Sequence, residues 1–296
     1  MRAASRALGA TCVALAATCV TACAQAVTLS RTFVTAPECD GPRAGRATRG
    51  RTDAAREGAV TRARTLLVHL VGDSTACGVG CGARGPTLAS SFAASVSETL
   101  GADVEWRALG FKGADVRALR DKLVPAMRDA VGRGDGAGGA AAPHAVVIMC
   151  GINDAKRSVV GRTSSAFREE LAALVREVRE VVGEECVVVL PATPLEAATL
   201  FPAPLAWFAT RVNDLWDEQK AHVSRVAENV VFVSKPSLES MRERAAKATG
   251  RVARSVSLVC RDGVHPNDVG YDAWARHIAE ECAPTLGRAL ARETTK

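Results

Sequence analysis

Three residue types able to do nucleophilic chemistry stand in short, loop-like contexts at the two ends of the domain region. Gly72-Asp73-Ser74-Thr75 directly follows an apolar run. A serine hydroxyl becomes a nucleophile only when a nearby base takes its proton. A sharp turn from strand to helix would expose that hydroxyl and aim helix N-terminal amides at developing negative charge. Alone, the tetrapeptide reads equally well as a Ser or Asp helix cap. Asp262-Gly263-Val264-His265 puts a carboxylate and an imidazole three residues apart on one loop. That spacing lets the carboxylate hold Nδ1 and leaves Nε2 to accept a serine proton. A metal-ligand pair is the other reading of Asp-x-x-His, but no Cys or His cluster lies near it in sequence.

Two more loops offer donors. In Gly110-Phe111-Lys112-Gly113, a glycine can bring its backbone N–H close to a substrate oxygen. In Gly151-Ile152-Asn153-Asp154, the Asn153 side chain offers an amide donor to an oxyanion. Taken singly, the first is a turn and the second a turn or helix cap.

These loops need elements to position them. Apolar runs at 65–71 (TLLVHLV), 145–150 (AVVIMC), 186–190 (CVVVL) and 230–233 read as strands buried on both faces, and 104–109 reads as a further strand. Helical apolar spacing covers 86–100, 114–131, 165–182, 203–226 and 267–282. Val116, Leu119, Leu123 and Met127 share one face of the second helix. Phe167, Leu171, Leu174, Val175 and Val178 share a face of the third. For the fourth helix, Leu205, Phe208, Val212 and Leu215 are the expected core face, and the preceding loop 191–204 is the candidate pocket wall. Strands alternating with helices imply a three-layer α/β sandwich around a central, mostly parallel five-stranded sheet. Sites in such sheets form at the carboxyl ends of the strands, where all four loops fall. His69, inside the first strand, and Trp274, in the last helix, read as core residues. Cys150 reads as a buried thiol, and Cys77 packs on a helix face.

Charge limits the partners. Of 38 basic and 32 acidic residues, ten arginines and four acids lie in residues 1–64, leaving 28 of each sign in the rest. A neutral domain has no electrostatic drive toward nucleic acid, and none is expected as a partner. Ten cysteines without paired close spacings give no structural zinc site.

Residues 1–26 combine Arg2 and Arg6, an uncharged centre and a small-x-small exit at Ala24-Gln25-Ala26. This is the pattern of a secretory signal or targeting segment. A lipoprotein-type box at Val20-Thr21-Ala22-Cys23, retention as a membrane anchor, and an organellar transit peptide are the alternatives. Residues 27–63 read as a flexible linker, 64–290 as one domain and 291–296 as a tail; 132–143 is a glycine-rich loop.

Together, the blocks GDSTACGVG at 72–80, Gly110–Gly113, Gly151–Asp154 and DGVHPNDVGYDAW at 262–274 resemble the SGNH, or GDSL-type, hydrolase family, in the family's order. The resemblance spans essentially the whole domain and implies a flavodoxin-like fold. It makes Ser74 the nucleophile, His265 the base and later acid, and Asp262 the group that orients His265. It assigns the oxyanion hole to the Ser74 and Gly113 backbone N–H groups and the Asn153 side chain, with no metal or other cofactor. The implied substrate is a small-molecule or lipid-like carboxylic ester. A glycan O-acetyl esterase or acyltransferase on the same scaffold, or a non-catalytic binding module, are the alternatives. Thr75 and Ala76 replace the bulkier apolar residues of many members, so the shape of the acyl pocket does not carry over.

Overall fold

The computed structural model describes residues 2–48, 65–82, 85–132 and 142–292. Most of the glycine-rich loop at 132–143, linker residues 49–63 and tail residues 293–296 lie outside the described residues.

A six-stranded sheet forms the middle layer. Its strands are β1 (Ala44–Ala47), β2 (Thr65–Gly72), β3 (Asp103–Gly110), β4 (Ala145–Met149), β5 (Val187–Pro191) and β6 (Val230–Val233). The spatial order is β1-β3-β2-β4-β5-β6, with every pair parallel except β1 with β3. Both faces are covered over β2, β4 and β5, which is why these strands read as unbroken apolar runs, whereas β3 alternates, with Glu105 and Arg107 exposed. Leu66, Val68, Ala145, Val147, Val187 and Val189 pack under α2 (Thr87–Leu100), α7 (Leu238–Thr249) and α8 (Asp268–Arg292). Val71, Val146, Ile148, Val188 and Leu190 pack under α3 (Val116–Gly132), α5 (Ser164–Val182) and α6 (Leu205–Val226). The core faces expected for α3 and α5 are buried. A short helix, α4 (Ile152–Lys156), follows β4.

β2 is the first parallel strand, and β3 and β4 flank it on opposite sides. The direction of winding therefore reverses at β2, opening a crevice beyond its carboxyl end. Ser74 begins the turn at that point.

The chain departs from its sequence pattern in four places. The sheet has six strands, not five: Ala44–Ala47, in the segment expected to be a free linker, covers the β3 edge. Nothing in Ala-Gly-Arg-Ala favours a strand. It forms because the outer groups of β3 need partners, because Gly45 lies flat on the Trp106 indole, and because Arg46 pairs with Asp103 and Glu105. α7 lacks a strong apolar stripe and escaped the pattern; it buries only Met241 and Ala245. α8 runs to Arg292, ten residues beyond the expected end, through Pro284. A proline inside a helix costs about 3 kcal/mol, which the burial of Leu286 and Leu290, each worth about 1.5–3 kcal/mol, offsets.

The fourth departure is the orientation of α6. Its buried stripe is Asn213, Trp216, Asp217, Lys220 and Val223, while Leu215 is exposed. The polar members satisfy one another, so this face can turn inward in place of the apolar one.

The N-terminal helix α1 (Arg2–Thr32) is long and apolar enough over Val13–Thr32 to cross a membrane, and is compatible with a signal peptide or an anchor. Gln25 reaches α6, accepting from the Leu205 amide and donating to the Ala203 carbonyl.

Candidate active site

Ser74 owes its position to two close backbone approaches. Gly72 ends β2 at φ +145° against β4, where a Cβ would lie 2.0 Å from the Met149 carbonyl oxygen. Gly110, at the end of β3, sits where a Cβ would meet the Cys77 amide and the Asp73 carbonyl at 2.6 and 2.8 Å. The Asp73 amide donates to Met149 O, and the Phe111 amide to Gly72 O. The turn then coils: the Cys77 amide donates to Asp73 O and the Val79 amide to Ser74 O. Inside it, the Asp73 carboxylate accepts from the Thr75 amide and hydroxyl at 2.9 and 2.8 Å. Burial raises the Asp73 pKa, against the lowering effect of those two bonds.

The other half of the site is one loop. Asp262 Oδ1 accepts from the Val264 and His265 amides, both at 2.9 Å. Its Oδ2 accepts from His265 Nδ1–H at 2.7 Å. A bridge between Val259 and Pro266 closes the loop, with the Cys260 amide donating to His265 O. Asn267 ties it down by donating to the carbonyls of Ser257 and Val259 and capping the Gly270 amide at the start of α8. The Tyr271 hydroxyl donates to Val79 O, joining this loop to the Ser74 turn.

The two halves meet. Ser74 Oγ lies 2.9 Å from His265 Nε2. With Nδ1–H given to Asp262, Nε2 is the acceptor and the serine hydroxyl the donor. Burial alone would raise the Asp262 pKa, but the amides of Ala36, Val264 and His265, together with the imidazole, outweigh it and hold the carboxyl well below its usual range. Asp262 therefore stays ionised beside the imidazole. The chain thus holds a carboxylate, an imidazole and a hydroxyl in series, an arrangement able to generate an alkoxide at a carbonyl carbon.

The two donor loops also come together. Asn153 is buried, and its Nδ2 donates to the Ala114 carbonyl at 2.9 Å, next to Gly113. Gly113 is exposed at φ +73° with open space around it. Asp154 fastens this corner: it accepts from the Val116 amide and from Arg162, which also pairs with Glu170. Asp154 is a structural anchor, as its turn-like context implied.

The remaining candidates fall into packing roles. His69 is buried, which with nearby Arg107 pushes its pKa down to about 4. Burial pushes the Cys77 and Cys150 thiols up to about 12, which disfavours a thiolate at either. Among the described residues, no group of three or more His, Cys, Asp or Glu side chains is placed to hold a metal ion. The loop after β5 is one wall of a groove of about 440 Å³ that also takes in Glu196, Arg211 and Asp214 and includes none of Ser74, Gly113, Asn153, Asp262 or His265. The Thr199 and Leu200 amides donate to Gly263 O, tying that wall to the Asp262–His265 loop.

Sequence reasoning missed the Asn213–Asp217–Lys220 group. Lys220, 1% exposed, donates to Asp217 at 2.8 Å and to the Pro191 carbonyl at 2.9 Å, and its stem packs against Gly151. Asp217 also accepts from the Thr193 amide and Asn213 Nδ2. Burial would lower the Lys220 pKa, but Asp217 outweighs it and keeps the ammonium charged. The group braces the carboxyl ends of β4 and β5. Its signal was a polar i, i+4, i+7 series on a helix.

The model of the GDSL-like lipase/acylhydrolase family matches residues 70–273, and the chain belongs to that family. It is a GDSL-type hydrolase, with lipases and esterases among its structural neighbours. The lipase Lip_vut3 from a goat rumen metagenome superposes with a TM-score of 0.52 at 17% identity, over 73% of this chain and 97% of that one, which shows the shared fold. The acetylxylan esterase Axe2 from Geobacillus stearothermophilus gives a TM-score of 0.46 at 18% identity, over 73% and 93% of the two chains. A lipase/acylhydrolase from Enterococcus faecalis gives 0.47 at 20% identity, over 74% and 96%. No curated protein matches the chain.

Proposed function

We propose that the chain is a serine hydrolase of carboxylic esters, acting on small-molecule or lipid-like substrates. The observation that carries this reading is the unbroken series from Ser74 Oγ through His265 Nε2 and Nδ1 to Asp262 Oδ2, with steps of 2.9 and 2.7 Å.

In this reading His265 Nε2 takes the Ser74 proton as Oγ attacks the ester carbonyl carbon, and Asp262 stabilises the imidazolium that forms. Negative charge on the former carbonyl oxygen meets the Ser74 and Gly113 amides and Asn153 Nδ2. One Nδ2 hydrogen is given to Ala114 O, which orients the amide and leaves its second hydrogen for the oxyanion. His265 returns its proton to the alcohol oxygen as the C–O bond breaks. Water, deprotonated by His265, then attacks the acyl-enzyme, and Ser74 recovers its proton as the acid leaves. α1 supports export, with cleavage after Ala26 giving a secreted enzyme and retention giving a membrane-held one.

The test is covalent capture by a fluorophosphonate, with nitrophenyl esters of graded chain length and acetylated sugars as substrates. Labelling at Ser74, absent in Ser74→Ala of unchanged fold, is the expected result. No labelling of folded wild-type protein and no turnover of any ester would refute the reading.

A further inference from the structure

Asp262 accepts four hydrogen bonds. Three come from its own loop, and the fourth, 3.0 Å long, comes from the backbone amide of Ala36, 226 residues earlier. The Ala36 bond falls on Oδ2, the oxygen that also holds His265 Nδ1. Ala36 belongs to a segment that crosses the site between α1 and β1. Ala36 and Cys39 are buried, and Ala36 packs with Cys77, Val79 and Cys260. The Gly80 amide donates to Pro37 O, and the Arg43 guanidinium donates to the carbonyls of Cys77 and Cys39. The Ala108 amide donates to Arg43 O, after which β1 pairs along β3. The segment is thus fastened both to the turn that carries Ser74 and to the sheet edge.

We infer that residues 33–47 form a strap whose Ala36 N–H is a positioning group for the Asp262–His265 pair. The physical reason is the softness of a carboxylate about its last torsion. The two amides on Oδ1 lie in the loop and move with it. Among the described residues, the strap supplies the one donor from outside the loop that reaches Oδ2, and the Asp262 side chain there is buried. Without it, the oxygen that must hold the imidazole is held in turn by the imidazole alone. The catalytic unit therefore begins well before residue 64, in a stretch whose composition reads as a linker. The inference rests on the ester hydrolase reading for its catalytic consequence, but the bond itself can be observed independently.

The experiment replaces the Ala36 amide with an ester in the full chain, as Ala36→lactic acid, which removes the N–H and leaves the side chain unchanged. The same replacement at exposed Val34 is the control. Turnover of nitrophenyl acetate is expected to fall about tenfold in kcat with KM unchanged, the scale of one charge-assisted hydrogen bond. The downfield proton of His265 Nδ1–H is expected to shift, because Oδ2 loses its second donor. Unchanged kcat and an unchanged resonance in the folded variant would overturn the inference, as would a rise in KM alone. A second measurement needs no backbone replacement: the Ala36 amide resonance, read in 15N-alanine protein, should move upfield in Asp262→Asn. An unmoved resonance overturns the bond. Wild-type protein that turns over no ester would instead defeat the hydrolase reading, whatever the amide resonance does.

Discussion

Gly72 and Met149 touch so closely that a single methyl group on Gly72 would stand 2.0 Å from the Met149 carbonyl oxygen. The contact brings the end of β2 against the end of β4, and the Asp73 amide donates to that same carbonyl. The turn bearing Ser74 starts from this crossing. Gly72→Ala faces both a backbone overlap and a φ of +145° that L side chains rarely adopt. A loss of at least about 3 kcal/mol in urea unfolding is expected, together with a large loss of fluorophosphonate labelling in whatever fraction remains folded. Wild-type stability and labelling would show that the two strand ends do not touch.

Asp262→Asn is expected to lower kcat on the order of 10³–10⁴-fold, since the imidazole loses the charge that selects its tautomer and stabilises its protonated form. The same substitution gives a pH signature. The folded-state pKa of Asp262 is depressed, so its ionised form stabilises the fold above the unfolded value, about 3.9, and that stabilisation is lost as pH falls through the folded value. The stability gap between wild type and variant should narrow as pH falls below about 4. Urea midpoints measured across that range provide the check. A gap that does not narrow below about pH 4 contradicts the assignment.

Asn153→Ala separates oxyanion stabilisation from substrate binding. If Nδ2 meets the oxygen only as charge develops there, kcat should fall about 100-fold while KM stays within about threefold. Steady-state kinetics on a short nitrophenyl ester decide this. A change confined to KM would make Asn153 a ground-state contact.

The buried pair on α6 offers a stability test that does not depend on ester turnover. Lys220→Met strands the Asp217 carboxylate in the interior and should cost about 3–5 kcal/mol. The double variant Asp217→Asn, Lys220→Met removes both charges and should recover most of that loss. Denaturant unfolding of the three proteins measures the coupling. Equal stability of the single and double variants would mean that the two charges do not compensate each other.

Much of this site was legible in the chain because its parts are local. Asp262 and His265 are three residues apart, and a turn of that length brings carboxylate to imidazole with little help from the rest of the fold. Strands β2, β4 and β5 were legible for a related reason: burial on both faces leaves a mark along the run, whereas β3 shows the alternation of a half-exposed strand. α6 shows where this stops. Its apolar residues suggested one face, yet a different face is buried, because Asn213, Asp217 and Lys220 find partners in one another and in the loop after β5.

By itself, then, the sequence determined the α/β layering, the strand ends where chemistry falls, and the residue types waiting there, since periodicity and short spacing are local properties of a chain. Only the tertiary structure decided that Ser74 reaches His265 across 191 residues, that Ala-Gly-Arg-Ala becomes an edge strand, and that the Ala36 amide finds Asp262. Those contacts depend on which surfaces the packed elements leave unsatisfied, and that demand exists only once the sheet and its helices have been assembled.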